Sequence, residues 1–168
     1  MSFLKFLTGK GQEYTSGQLT ILVILRVLIG WHFLYEGLVK ILNANWSSAG
    51  YLIDSQGFLS GVYESMALNQ GVLNVVDFLN VWGLTAIGLG LILGLFSRFA
   101  SLAGIILLAF YYFSHPPFIG AEYAIPTEGN YLIVNKTLIE MFTLWALYFF
   151  PTGIHIGLDR LLVKGKTK

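Results

Sequence analysis

The chain has 168 residues, 55% of them hydrophobic and 11% charged, and a formal net charge of +1; its mean hydropathy is +0.69. A water-soluble domain ordinarily carries about 25% charged residues, so this composition excludes an ordinary soluble domain and makes lipid the expected solvent. A near-neutral balance gives no electrostatic pull on nucleic acid. The absence of cysteine removes disulfides, thiolate chemistry, iron–sulfur clusters and cysteine-type zinc sites.

A bilayer core about 30 Å thick takes about 20 apolar residues as a helix. Ahead of the first such stretch, Phe3, Leu4, Phe6 and Leu7 with Lys5 and Lys10 have the composition of a short surface helix. The first predicted span, 19–42, is long enough but carries Arg26, His32, Glu36 and Lys40. The connection 43–71 is too long for a plain turn. Its Trp46, Tyr51, Phe58 and Tyr63 suit the interfacial belt of a membrane. The second span, 76–96, contains Phe78 to Phe96 without a single Asp, Glu, Lys or Arg before Arg98, and the third follows at 99–118. A second connection, 119–130, is expected to cover the outer mouth. The fourth span, 131–150, runs into Pro151 and Gly153, a helix stop. Runs such as 104–113 do not alternate with period two, which excludes barrel strands, and backbone groups in lipid must then be satisfied by helices. The predicted fold is all-α, a four-helix transmembrane bundle formed by one domain over 1–168.

The basic residues set a predicted orientation. Lys5 and Lys10 precede the first span, Arg98 lies in the turn between the second and third, and Arg160, Lys164, Lys166 and Lys168 follow the fourth. The other two connections, 43–71 and 116–130, hold no Lys or Arg. With four spans all basic ends share one side, so the N and C termini are expected to be cytoplasmic. Ala86, Gly90 and Gly94 in the second span, and Ala100 and Gly104 in the third, have the four-residue spacing that lets helix backbones approach, and predict packing of these two spans on each other.

Ionisable residues inside a span are costly and mark either function or a paired structural network. At about 100° per residue, His32, Glu36 and Lys40 fall at roughly 240°, 280° and 320° from Arg26, and all four share one side of the first span. Gly30 and Gly37 lie beside them, so this face is expected to meet protein. Asp77 and Asn80, His115, and Asn135, Lys136 and Glu140 lie towards the outer ends of the other spans. The expectation is a polar cavity in the outer half of the bundle, with Arg26 approaching Glu140 near the middle of the bilayer. A network that fixes helix register accounts for the same residues. His32 and His115 differ in depth by roughly 9 Å at 1.5 Å per residue, so no haem is expected, and no metal-ligand spacing occurs. A hydrophobic quinone suits aromatic walls such as Trp31, Phe33, Tyr35 and Trp82 beside a histidine or carboxylate that exchanges protons.

Four segments carry a family resemblance: 25–40 with its Arg, Gly, Phe-Leu, Gly and Lys pattern, 45–52, 82–98, and 128–140. In order and spacing they resemble the DoxX/DoxD family, small membrane subunits related to thiosulfate:quinone oxidoreductase. The resemblance implies a four-helix membrane protein, an electron-transfer link to the quinone pool and a second protein subunit. On the matching positions it points to Arg26, Gly30, Gly37, Lys40, Asn135 and Glu140.

Residues and resemblance together give a first functional reading: the membrane subunit of a quinone-linked oxidoreductase of the thiosulfate:quinone type. It would lie in a bacterial or archaeal cytoplasmic (inner) membrane, with quinone as electron acceptor and neither metal nor haem. His32, Glu36 and Glu140 are the candidate catalytic, proton-handling residues. Arg26, Lys40, Asp77, Asn135 and Lys136 are the candidate substrate-binding residues. Partners expected are the bilayer and a second subunit, with a homo-oligomer as a further arrangement and no nucleic acid. A non-catalytic anchor for a partner protein, or a small-solute carrier, fits the same composition.

Overall fold

The computed structural model describes residues 13–118, 120–124 and 132–164. Phe3 to Lys10, the greater part of the expected lid at 119–130, Tyr131 at the predicted start of the fourth span, and Lys166 and Lys168 lie outside the described residues. Among the described residues seven helices follow in order: α1 (Ser16–Leu42), α2 (Ala49–Ile53), α3 (Ser60–Leu68), α4 (Gln70–Leu93), α5 (Ser97–Ser114), α6 (Lys136–Phe149) and α7 (Asp159–Lys164). Among the described residues the fold is all-α.

The helix ends follow from local chemistry. Thr15 and Gln18 close a capping box at the start of α1, each side chain bonding the other's backbone N–H. Asn69 accepts from the N–H groups of Gly71 and Val72 and starts α4 six residues before the predicted span. Gly94 ends α4 in the left-handed conformation, φ 61°. Asn135 accepts from Leu138 N–H and starts α6. The connection 43–69 is not a plain loop, since α2 and α3 sit within it and bury Leu52, Tyr63 and Leu73 as a small second core.

Three helices, α1, α4 and α5, are long and apolar enough to cross a membrane. Their outward faces are apolar: Leu28, Trp31, Phe78, Leu79 and Ile106 are each more than half exposed, which is how a helix surface solvated by acyl chains is built. The protein is therefore a multi-pass membrane protein. The fourth helix is shorter than predicted. Its 14 residues rise about 21 Å at 1.5 Å each, less than the hydrocarbon thickness.

The four long helices close a ring in which α1 packs on α4, α4 on α5, α5 on α6 and α6 back on α1. The predicted approach of α4 and α5 occurs where Gly90 meets Ala100, a Cβ on Gly90 lying 3.2 Å from that of Ala100. The tightest seam, however, is α1 on α4. A Cβ on Gly88 would sit 2.4 Å from Leu34 N and 2.7 Å from Gly30 O, and one on Gly37 would sit 2.4 Å from Thr85 Oγ1. Backbone meets backbone there, and Phe33, Leu84, Ile87, Leu91, Leu144 and Leu147 fill the centre of the ring. Two ends can be distinguished: a hairpin end at Ser97-Arg98, and a long-connection end under α2 and α3.

At the hairpin end the chain after α6 folds back. Leu158 N–H and Asp159 N–H bond the carbonyls of Leu93 and Gly94. Asp159, 1% exposed, accepts from Phe96 N (2.7 Å), Ser97 N (3.2 Å) and Ser97 Oγ (2.6 Å). This carboxylate supplies the cap that α5 lacks in its own sequence, at the positive end of the helix dipole.

Candidate functional site

A cavity of about 690 Å3 opens in the half of the bundle nearest the long connection. Its origin is the depth at which α6 begins. His32 Nδ1 on α1 lies 2.9 Å from Glu140 Oε1 on α6. That contact sets the first residue of α6 only about 6 Å above His32 at 1.5 Å per residue, near the level of Glu36, while α1 continues to Leu42. Among the described residues the chamber lies beside this upper part of α1, with Trp46, Ser47, Ser48, Gly50 and Tyr51 of the long connection in its lining as a roof.

One wall is charged. His32, Glu36 and Lys40 come from successive turns of α1, and Asn135, Lys136 and Glu140 from the start of α6. Lys40 Nζ bonds Glu36 Oε2 at 2.7 Å and Glu36 O at 3.2 Å, and stands 5.4 Å from the Trp46 ring centre. The His32 and Glu140 side chains are 30% and 16% exposed. Their close contact lacks hydrogen-bond alignment, and Glu140 Oε2 has no hydrogen-bond partner among the described residues. Both residues line the chamber, while His32 Nδ1 and Glu140 Oε2 are themselves buried. The remaining wall is largely apolar, with Phe33, Leu84 and Leu107, and carries Asn80 and the Tyr51, Tyr63 and Tyr111 rings.

The roof is pinned to the α5 terminus. His115 is stacked on Tyr51 (ring centres 3.9 Å apart, 26° between planes) and tilted against Tyr123 (4.6 Å). Its Nδ1 lies 3.0 Å from Ser114 Oγ and its Nε2 3.5 Å from Asp54 Oδ2. Burial pushes the His115 pKa down, while Asp54 works in the opposite direction. Burial also pushes the Tyr51 hydroxyl well up, so that group stays neutral.

Two of the predicted site residues stand elsewhere. Arg26 does not approach Glu140. It lies at the hairpin end, 3% exposed, where Nη1 donates to Thr152 Oγ1 (2.8 Å) and Nη2 to Ile156 O (2.7 Å). The reason is depth: Arg26 sits six residues below His32, about 9 Å at 1.5 Å per residue, and its long side chain runs with the cationic end towards the returning chain. Asp77 does not line the chamber either. Its Oδ1 accepts from Ser48 N (2.8 Å) and Ser48 Oγ (2.5 Å), which ties the start of α2 to α4. Six residues, His32, Glu36, Lys40, Asn135, Lys136 and Glu140, do line it together. Tyr111 was not legible as a lining residue, because one tyrosine among nine on an apolar helix carries no separate signal.

With the geometry in place, comparison with known proteins adds one finding: the family model DoxX matches residues 21–116, more than half of the chain. The chain belongs to the DoxX family. The matched stretch runs from α1 through α5, so the DoxX segment supplies His32, Glu36, Lys40, Asn80, Tyr111 and His115, whereas Asn135, Lys136 and Glu140 come from the α6 region beyond it. The resemblance read from the sequence is thereby established at the level of the DoxX family. No curated protein and no solved structure matches the chain.

Proposed function

We propose that this DoxX protein is the membrane subunit of a quinone-linked oxidoreductase, of the thiosulfate:quinone type, acting with a second protein subunit. The observation that carries this reading is the juxtaposition of His32 and Glu140 at 2.9 Å on the wall of a largely apolar chamber of about 690 Å3. A lipid-soluble ring fits such a space, which buries an apolar body and offers a few convergent polar groups. His32 and Glu140 both line the chamber, so a ligand held there would lie beside them.

A quinone bound there would take two electrons, released as two thiosulfate ions are joined into tetrathionate, and two protons to leave as quinol. The chain's own residues would serve that exchange. His32 and Glu140 share and pass protons at Nδ1 and Oε1, with Glu36 next on the same face. Lys40 and Lys136 hold negative charge on an anionic substrate or on a ligand oxygen. Asn135 fixes the start of α6 and so the position of Glu140. The apolar walls exclude bulk water. Arg26 and Asp77 have no part in this reading. In the same proposal α6 completes a four-helix bundle, and the hairpin end, which carries Arg98 and Arg160, faces the cytoplasm of a bacterial or archaeal cell.

The test is thiosulfate-dependent quinone reduction by the purified protein, alone and with its co-purifying subunit, together with extraction of bound quinone. Activity in the complex that falls at least tenfold in His32→Gln and Glu140→Gln supports the proposal. No turnover in either preparation, with no quinone extracted, overturns it.

A further inference from the structure

One group at the chamber takes no part in the roles assigned above. Asn80 lies within α4, is 9% exposed and lines the cavity. The Tyr111 hydroxyl on α5 donates to Asn80 Oδ1. With the carboxamide oxygen accepting from Tyr111, the amino group lies on the other side. Asn80 Nδ2 makes no hydrogen bond among the described residues, yet it is not sealed off from the cavity space. An amide donor left unmatched inside a membrane bundle costs about 1–3 kcal/mol, a cost that an acceptor bound in the chamber would offset.

Its place is informative. Gly104 of α5 faces Leu144 of α6, so in antiparallel register Glu140 is level with residue 108, and Tyr111 stands about one turn, roughly 5 Å, nearer the long connection. The His32–Glu140 pair belongs to α1 and α6, and Asn80 and Tyr111 to α4 and α5. The chamber therefore has two polar poles on different helix pairs, offset in depth.

We propose that Asn80, oriented by Tyr111, donates a hydrogen bond through Nδ2 to one oxygen of a ligand whose other oxygen meets the His32–Glu140 pair. Resting on the quinone reading, this assigns the second carbonyl of the ring to Asn80, and makes Tyr111 a positioning residue. It also defines the ligand class: a ring with oxygens at opposite positions rather than a molecule with one polar end.

The experiment uses the full chain in lipid nanodiscs and a short-chain ubiquinone carrying 13C at one carbonyl. Binding is followed by quenching of tryptophan fluorescence, and the two carbonyl stretches by infrared difference spectroscopy. Expected are two distinct carbonyl bands in the wild type. Asn80→Leu should weaken binding about tenfold, the factor for the loss of roughly 1.4 kcal/mol, and move one band towards its position in apolar solvent. Tyr111→Phe should move the same band with a smaller loss of affinity, and Glu140→Gln should move the other. Asn80→Ala gives the same comparison if Asn80→Leu does not fold. If the wild type binds quinone and neither Asn80 variant shifts a band or the affinity, the assignment is overturned and the quinone reading stands. If the wild type binds no quinone, both fall.

Discussion

His32 Nδ1 and Glu140 Oε1 lie 2.9 Å apart across the seam where the first long helix meets the last, and this contact fixes the height at which α6 enters the bundle. Removing either partner should loosen the seam. Because an unmatched buried polar group costs about 1–3 kcal/mol, Glu140→Leu and His32→Leu are each expected to lower the thermal midpoint in detergent by several degrees. The double variant should lose less than the sum, with a coupling of about 0.5–3 kcal/mol. Strict additivity in this cycle would show that the two side chains do not interact.

The α1–α4 seam makes a sharper prediction. Gly88→Ala places a methyl 2.4 Å from the backbone nitrogen of Leu34, which the two helices can relieve only by separating. Overpacking of this kind costs about 1–3 kcal/mol. Gly83 on the same helix has no atom within 4 Å of its would-be Cβ, so Gly83→Ala should be neutral or stabilising by about 0.5–1 kcal/mol through helix propensity. Thermal unfolding of the two variants side by side checks the pair, and equal midpoints would refute the packing account.

Arg26→Ala should act at the opposite end from the chamber. It removes the bonds to Thr152 Oγ1 and Ile156 O and is expected to cost about 1.5–3 kcal/mol, as for hydrogen bonds made by a charged group. The returning segment should then open to trypsin at Arg160, while quinone binding by the surviving folded protein stays within about twofold. A large loss of binding with no change in proteolysis would return Arg26 to the site.

The roof should respond to pH through His115. Burial holds its folded pKa below the ordinary histidine value, so between the two pKa values the unfolded chain binds the extra proton. Stability is then fully present above about pH 6.5, the unfolded value, and is lost as pH falls below it towards the folded pKa. His115→Asn should flatten this part of the profile. Thermal midpoints measured from pH 8 to pH 5 decide the matter, and an unchanged slope in the variant would remove His115 as its source.

The sequence made some of this visible and hid the rest for definite reasons. The absence of charge over 78–96 and 99–114 is a property of composition, and it marks α4 and α5 without any tertiary knowledge. The polar stripe of His32, Glu36 and Lys40 is a property of helical periodicity, and it lines one chamber wall. Depth was the weak coordinate. Counting residues from helix ends assumes four spans of equal height, but α6 has only 14 residues, and Arg26 turns towards a C-terminal segment whose fold no periodicity announces. Asp159 was passed over for the same reason: a lone acid after the last span reads as surface until the chain is seen returning to Ser97. Small residues spaced by four identified which helices pack closely, but not that the backbone of α1, with Gly30 and Gly37, would be the nearest partner of α4.

Below His32 the ring is filled. Phe33, Leu91 and Leu144 are at most 1% exposed, and beneath them Arg26 is held by the returning chain. Among the described residues the chamber is thus a well floored by packed side chains. Among the described residues, the polar groups of the well lie towards the long connection, and the packed core stands between them and the hairpin end.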